Sequence, residues 1–209
     1  DGFSNDTAPS ATTDADYLCL FEPGGAVPVR ALIKGPPDPQ FAPAKMRDHL
    51  AEAITAAAAR DPNAQLVEIR GDGIQTDGFV DLNQRSPEGD GKWWTYTFFN
   101  FTDDRRVEVR WYSRARGVNN PEVEVTEMDP FGYAYSPIKM VPALVDSDVA
   151  VQAYAMSMGC PAINGNDDDL IRYESDEPFT TADVLRVDVG DASWKGTAVA
   201  PVTEIWTCE

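Results

Sequence analysis

Histidine is the side chain most often used as a base near neutral pH, and this sequence contains a single one, His49. It lies between Asp48 and Leu50 in a stretch with helical periodicity. A Ser-His-Asp or Cys-His arrangement would have to be built on this residue, and no serine occurs in a Gly-x-Ser-x-Gly turn. We therefore interpret His49 as an ordinary helix residue, and the sequence favours a protein that is not an enzyme.

A second group of residues could bind a cation. The turn at 164–169 reads Asn-Gly-Asn-Asp-Asp-Asp, and the oxygens of Asn164, Asn166 and Asp168 are of the kind that calcium prefers. The turn departs from the EF-hand pattern, because its sixth position is Asp169 rather than glycine and its twelfth is Ser175 rather than glutamate. We favour a solvated acidic loop here and keep a calcium site as the alternative.

The three cysteines, Cys19, Cys160 and Cys208, lie too far apart for a Cys-x-x-Cys metal or redox motif. In an oxidising compartment two of them would pair and one would remain. Cys160 follows a predicted helix and Cys208 ends a predicted strand of the same region, so we expect a Cys160–Cys208 disulfide, with Cys19–Cys208 as the alternative. Met156 and Met158 could offer soft ligands to copper(I), but we expect Met156 to pack in the core.

Aromatic residues concentrate between Trp93 and Tyr112, where two β-prone runs flank a short polar turn. This pattern predicts a hairpin. Charged residues alternate with valine and tryptophan in its second strand, which indicates a sheet with one wet face. Trp93, Phe99 and Tyr112 fall on the minority side and are candidates for an exposed recognition surface. We favour the alternative that they form a second core, beneath the loop 127–144 or the second helix.

The strand predicted at 122–126 shows the same alternation. Its valines are expected to point to the core, while Glu122 and Glu124 point to the solvent. If this strand lies beside the hairpin, Arg106 and Arg110 are predicted to meet these glutamates across the sheet. Each exposed pair of this kind contributes about 0.2–1 kcal/mol to stability.

The elements that must position these residues alternate in type along the chain. Apolar residues at spacings of three and four predict a helix over 41–60, and Asp146 with Ser147 begins a second helix that ends near Gly159. Strands are predicted at 66–70, 79–82, 93–112, 122–126, 170–174, 184–189 and 199–207. This order predicts an α+β fold with antiparallel sheets, each covered by one helix, and a tandem of two helix-plus-sheet sub-repeats at 41–126 and 145–209.

The remaining part of the chain is its beginning. Residues 1–16 are small and polar with one aromatic residue, Phe3, and are predicted to be a disordered leader or tether. The first residue is not methionine, and a leader of this kind is typical of a chain that follows a removed signal or a lipid anchor. A chain of 209 residues is long enough for one large domain or two small ones. We expect residues 17–209 to form a single domain.

The charge of the chain limits its partners. Acidic residues number 35 and basic residues 17, which gives a formal net charge of −18. Nucleic acid and anionic membrane surfaces are therefore poor partners, because binding to phosphates needs a basic surface. No run approaches the roughly 20 apolar residues that a transmembrane helix needs. We attribute the acidity to solubility, with a basic or cation-rich partner as the alternative.

Two stretches give the chain a family resemblance. They are Ile-Arg-Gly-Asp-Gly-Ile-Gln-Thr-Asp-Gly at 69–78 and Val-Asp-Ser-Asp-Val-Ala-Val-Gln-Ala-Tyr-Ala at 145–155. The chain resembles the PepSY-like or cystatin-like α+β proteins of bacterial envelopes over residues 41–209. In those proteins a helix is followed by an antiparallel sheet, often in tandem. The resemblance implies an extracytoplasmic, non-catalytic module that binds or inhibits a partner.

The function predicted from the sequence is a non-catalytic binding or interaction module outside the cytoplasm, whether secreted, periplasmic or lipid-anchored. Its ligand or protein partner is not specified by any motif. One alternative is a protein that binds divalent cations through residues 164–169. Another is a cell-envelope hydrolase that uses acidic residues, although no spacing among the acids singles out a catalytic pair.

Overall fold

Two units make up the chain. The structure is a computed structural model. It describes residues 18–20, 29–31, 42–82, 92–111, 122–127, 135–166, 168–175, 182–206 and 208. The smaller unit comprises Asp1–Gln40 and Arg114–Val118, and the larger comprises Phe41–Ser113 and Asn119–Glu209. In the smaller unit, strand β1 (Leu18–Leu20) pairs antiparallel with β2 (Val29–Ala31).

The larger unit is built on one sheet of eight antiparallel strands. In chain order they are β3 (Gln65–Asp72), β4 (Trp94–Asn100), β5 (Arg105–Trp111), β6 (Glu122–Glu127), β7 (Asp169–Ser175), β8 (Asp183–Val189), β9 (Ala192–Thr197) and β10 (Glu204–Trp206). In space the order is β10-β9-β8-β7-β3-β4-β5-β6. The pairing of β3 with β7 joins the first half of the larger unit to the second.

Two helices contribute to this unit. Helix α1 (Leu50–Arg60) contains a run of four alanines, which favour helix, and it ends at Asp61 because Pro62 follows. Helix α2 (Ser147–Met156) begins at Asp146, whose side chain accepts a hydrogen bond from the Ser147 N–H. A short 3-10 helix, Val141–Ala143, precedes α2.

Both helices lie on the same face of the sheet. Helix α1 buries Leu50, Ala53 and Ala57 over the β4–β5 region, and α2 buries Tyr154, whose ring meets Trp194 of β9 edge to face at 6.1 Å. The inward residues of the strands complete one core. Its largest fully buried side chains are Trp94, Trp194, Tyr96, Tyr173, Met46, Ile69 and Ile171.

The start of α2 is fixed to two earlier segments. The Ser147 hydroxyl donates to the Gly78 carbonyl at 2.5 Å and accepts from the Met46 N–H at 3.2 Å. Gly78 has a φ of 82°, and a Cβ there would lie 2.4 Å from the Asp148 backbone. This close approach therefore requires glycine at position 78.

The predicted fold class is wrong. The sequence predicted an α+β fold with a separate sheet under each helix and a tandem repeat, whereas the structure is mainly β, with one continuous sheet and two short helices. The reason is the β3–β7 pair, because β-strand periodicity says which face is buried but not which strands become neighbours.

The helix expected over 41–60 is also shorter than predicted. It begins only at Leu50, since Ala44 forms an isolated antiparallel bridge with Val80 instead of entering a helical turn. Strand β9, Ala192–Thr197, was not predicted, and β10 is shorter than the strand expected over 199–207.

Candidate functional site

The face of the sheet opposite the helices is polar and charged. In β5, Val107 and Val109 are buried on the helix side, so the side chains between them must point the other way. The register carries this alternation from strand to strand. We call the surface the charge-striped face; it comprises Arg106, Glu108 and Arg110 of β5, Glu68, Arg70 and Asp72 of β3, Arg172 and Glu174 of β7, Arg186 and Asp188 of β8, and Lys195 of β9.

Cations form one row across this face. Arg70 is the register partner of Arg172, Arg172 of Arg186, and Arg186 of Lys195. Thr95 of β4 continues the row to Arg110 of β5. We call these five basic residues the cation row, which crosses six adjacent strands spaced by about 4.8 Å.

Carboxylates flank the cation row on both sides. On one side, Glu68 is the register partner of Glu174, and Thr97 connects it to Glu108. On the other side lie Asp72 and Asp188, with Leu170 between them. The sign of the charge therefore alternates along each strand. One positive stripe, which runs across the strands, lies between two negative stripes.

Like charges stand directly opposite each other in the cation row and in the Glu68–Glu174 stripe, an arrangement that destabilises a sheet. The opposite charges meet along the strands or diagonally between them. Measured between nitrogen and oxygen, these ion pairs are Arg70–Asp72 at 2.6 Å, Arg186–Glu174 at 3.2 Å, Arg110–Glu124 at 3.5 Å, Arg106–Glu108 at 3.6 Å and Arg172–Asp188 at 3.9 Å, together with Arg110–Glu108. These contacts offset the repulsion within each stripe.

In most of these ion pairs the arginine is more exposed than the carboxylate, but Arg186 and Glu174 are nearly equal at 26% and 24%, and Glu124 at 53% is more exposed than Arg110 at 32%. The exposed side-chain fractions are 41% against 12% for Arg70 and Asp72, 32% against 12% for Arg110 and Glu108, and 29% against 20% for Arg172 and Asp188. The face thus presents guanidinium groups outward, supported by carboxylates beneath them. The row ends at Lys195, which is buried.

Arg172 lies near the centre of the cation row. Its ion pair with Asp188 is the longest of the set, and its buried Nε has no hydrogen-bond partner among the described residues. Guanidinium groups bind carboxylates best through two parallel N–H donors. The unpaired Nε of Arg172 is itself buried, so an external ligand would have to bind Arg172 through its terminal nitrogens.

The supporting carboxylates lie in a partly dehydrated setting. Burial raises the pKa of Glu68, opposed chiefly by the positive charge of Arg172, while Glu174 adds a like-charge repulsion. Burial likewise raises the pKa of Asp72, and Arg70 opposes it.

An open cavity of about 420 Å³ lies at the Asp72 and Asp188 end of the face. Its lining includes Arg70, Leu170, Asp188 and Ser193, together with Asp191 in the turn between β8 and β9. Asp168 also lines it. On its Asp188 side, the cation row is therefore bordered by a cavity whose lining includes Asp168, Asp188 and Asp191.

The predicted calcium loop is organised around one buried carboxylate. Asp169 is 2% exposed, and its Oδ2 accepts the backbone N–H groups of Asn164 at 2.7 Å and Asn166 at 3.0 Å. Asp168 faces the cavity instead. Among the described residues no group of three or more His, Cys, Asp or Glu side chains could hold a metal ion, and calcium binding stays a prediction.

The structure describes two of the three residues of the predicted aromatic surface. Phe99 is 7% exposed and packs against Phe101 and Tyr135, with ring centroids 5.0 and 5.2 Å apart. Trp93 is half-buried, and its backbone carbonyl accepts the Asp72 N–H. Tyr112 lies outside the described residues. A recognition role for these aromatics stays a prediction.

The remaining sequence candidates are placed as follows. Cys160 and Cys208 form a disulfide, with their Cα atoms 5.4 Å apart. Met156 is 84% exposed, so the expectation that it packs in the core is wrong. The His49 ring stacks on Trp111 at 4.9 Å between centroids, with its Nδ1 3.3 Å from Glu52.

Sequence reasoning recognised the charged side of β5 but missed the cation row. Arg70, Arg172 and Arg186 each follow the same alternation in their own strands, which was the available signal. Their alignment depends on the β3–β7–β8 register, which the sequence does not give.

Comparison of this chain with protein-family models, with curated proteins and with solved structures gave no match. The resemblance to PepSY-like or cystatin-like proteins therefore stays a prediction. No helix in the described part of the chain is long and apolar enough to cross a membrane. The disulfide is compatible with a secreted protein.

Proposed function

We propose that this chain is a non-catalytic binding module whose cation row recognises an extended anionic ligand. The observation that carries the proposal is the cation row itself: four arginines and Lys195 stand in register across six strands, and Arg70, Arg110 and Arg172 each pair with a less exposed carboxylate. Stability alone does not favour such a row, because its members face like charges across the strands. Recognition of a repeating anion does favour it.

The ligand class follows from the chemistry of the row. Planar guanidinium groups pair with carboxylates through two hydrogen bonds, and the ion pairs beneath them fix their positions before a ligand arrives. The flanking negative stripes and the formal net charge of −18 oppose the binding of an anion, so the attraction must come from the cation row itself. We infer a chain-like ligand with carboxylates that repeat along its length.

The location that we propose is extracytoplasmic, in a secreted, periplasmic or lipid-anchored protein. The support is the Cys160–Cys208 disulfide, since such bonds persist mainly in oxidising compartments. Mass spectrometry of the protein from its native source, without reduction, tests this part. A free thiol at Cys160 would contradict it.

Calorimetric titration with poly-L-glutamate at low ionic strength tests the ligand class. We expect measurable binding that weakens with added salt, and about a tenfold or greater loss of affinity in the double variant Arg172→Gln, Arg186→Gln. The matched control is Arg60→Gln, because Arg60 is an exposed arginine at the end of α1, far from the row in the fold.

Two results would overturn the proposal. One is the absence of binding to poly-L-glutamate and to a carboxylated polysaccharide such as polygalacturonate. The other is equal binding by the wild-type chain and the double variant, since the ligand would then be held elsewhere. Circular dichroism of the double variant would confirm that its fold is unchanged.

A further inference from the structure

The sequence contains one Asn-Gly pair, Asn164 and Gly165, in the turn that precedes β7. An asparagine in such a pair can lose its side-chain nitrogen as ammonia, because the backbone nitrogen of the next residue can attack the side-chain carbonyl carbon. Glycine favours this attack, since it has no Cβ to obstruct the approach and its backbone is the most adaptable. The pair is therefore a candidate for a spontaneous covalent modification.

The folded turn leaves both reacting groups available. The Asn164 side chain is exposed, and its Nδ2 donates to the Ala162 carbonyl at 2.9 Å. Gly165 is half-buried with a φ of 71°, and its carbonyl accepts a hydrogen bond from the Lys92 ammonium. Its N–H has no hydrogen-bond partner among the residues that the structure describes. The attack therefore does not have to break a hydrogen bond of this N–H within the described part of the chain.

One buried carboxylate fixes the backbone on either side of this nitrogen. The Asp169 Oδ2 accepts the N–H of Asn164 at 2.7 Å and the N–H of Asn166 at 3.0 Å. Asp169 itself is 2% exposed, so this anchor belongs to the interior of the unit. The fold thus holds the two flanking N–H groups and leaves the Gly165 N–H between them for reaction.

Two other asparagines show how the fold protects this type of side chain elsewhere. Asn63 is exposed, but the next N–H, that of Ala64, donates to the Asp61 carbonyl at 3.2 Å, and Ala64 carries a Cβ. Asn100 is 1% exposed, and its carboxamide donates to both Asp61 oxygens and accepts the Thr102 N–H at 2.9 Å. Exposure and an unbonded neighbouring nitrogen coincide at Asn164 and at neither of these two sites.

We propose that Asn164 deamidates spontaneously in the folded protein. The Gly165 backbone nitrogen gives its proton to solvent and forms a bond to Asn164 Cγ. The bond between Cγ and Nδ2 then breaks, and Nδ2 takes up a proton and leaves as ammonia. The product is a five-membered succinimide ring. Water opens this ring at either of its two carbonyl-to-nitrogen bonds, which gives aspartate or isoaspartate without any oxidant or cofactor.

The reaction changes the turn in both charge and length. Either product places a new carboxylate at position 164. In the isoaspartyl product the chain also runs through the former side chain, which adds one carbon atom to the backbone. Since Asp169 holds N–H groups on both sides of the added atom, these groups could no longer keep their present spacing. The modification does not depend on the ligand of the cation row.

Peptide mapping by mass spectrometry tests the proposal on the folded chain, incubated at 37 °C in mildly alkaline buffer. We expect the peptide that contains Asn164 to gain the mass of an amide-to-acid conversion and to separate into aspartate and isoaspartate forms. This conversion should be about tenfold or more faster than that of the peptide containing Asn63. Asn164→Gln is the matched control, because its longer side chain would have to close a six-membered ring, and the conversion should be lost.

Three results would overturn the proposal. The first is a conversion at Asn164 no faster than at Asn63. The second is conversion in a synthetic peptide of residues 161–169 with none in the folded protein, since the fold would then protect the pair. The third is an aspartate product without isoaspartate, because a succinimide opens at both of its bonds.

Discussion

The two faces of the eight-stranded sheet differ in the side chains that they align across neighbouring strands. On the helix face, the row that contains Ile171, Val187 and Trp194 matches apolar side chains across strands, as burial requires. On the opposite face, the adjacent row of β3, β7 and β8 matches arginine with arginine. Packing accounts for the first arrangement, whereas it does not account for the second.

The comparison predicts that stability resides on one face and recognition on the other. Half-exposed ion pairs contribute little net stability, because water screens them and because long side chains lose entropy when they are fixed. Buried aromatic residues contribute several times more. Substitutions on the two faces should therefore separate into two classes of effect.

The largest effect is expected for Trp94→Ala on the helix face. Trp94 is fully buried, packs against Gly71, and donates its Nε1–H to the Ala44 carbonyl at 2.8 Å. Its removal should lower the free energy of unfolding by about 3–5 kcal/mol in urea denaturation. Glu124→Gln, a substitution on the other face at a side chain that is 53% exposed, is the control and should cost under about 1 kcal/mol.

A smaller but clear loss is expected for Asp183→Ala at the start of β8. Asp183 is 4% exposed, and its carboxylate accepts the backbone N–H groups of Lys139 and Met140 at 2.6–3.0 Å. Removing the acceptor of these backbone donors should cost about 2–3 kcal/mol in urea denaturation. An unchanged unfolding midpoint would show that this segment is not anchored through Asp183.

A double-mutant cycle with Arg186→Met and Glu174→Gln measures one ion pair of the charge-striped face. We expect a coupling energy below about 1 kcal/mol, because both side chains are about a quarter exposed. A coupling above about 2 kcal/mol would mean that the face is itself a stabilising element, and the contrast between the faces would fail.

The smallest effect is expected for Glu68→Gln, and its sign depends on pH. Because the folded pKa of Glu68 is raised above its ordinary value of 4.5, the folded state binds more protons in the window just above pH 4.5. This group's contribution to stability is therefore favourable at low pH and is lost as the pH rises through the raised pKa. Glu68→Gln should flatten that slope and change stability at pH 7 by less than about 1 kcal/mol.

Thermal unfolding of both chains from pH 4 to pH 7 measures the difference. If the variant were instead less stable than wild type by several kcal/mol at pH 7, the Glu68 carboxylate would be a structural anchor of the sheet.

Local features of this fold could be predicted from the sequence, while long-range ones could not. The alternation of β5 predicted one wet face, and the expected contact of Arg110 with the next strand is present as its ion pair with Glu124. Cys160 and Cys208 pair as expected, since both flank elements of one region. These predictions needed only periodicity and neighbouring strands.

The cation row needed information that periodicity lacks. Arg70 and Arg172 lie in strands separated by the whole β4–β6 meander and by α2, and the pairing of β3 with β7 was not foreseen. Because a shift of one residue would turn Arg172 to the helix face, the row exists only in this register. The same β3–β7 pairing joins the strands that were expected to form two sheets into a single sheet.

The most direct test of the account is nuclear magnetic resonance of the arginine Nε–Hε groups during titration with poly-L-glutamate. If the ligand binds at the cation row, the signals of Arg70, Arg172 and Arg186 shift together and saturate, while that of Arg60 on α1 does not move. Shifts spread evenly over all arginines, or confined to residues outside the charge-striped face, would contradict it.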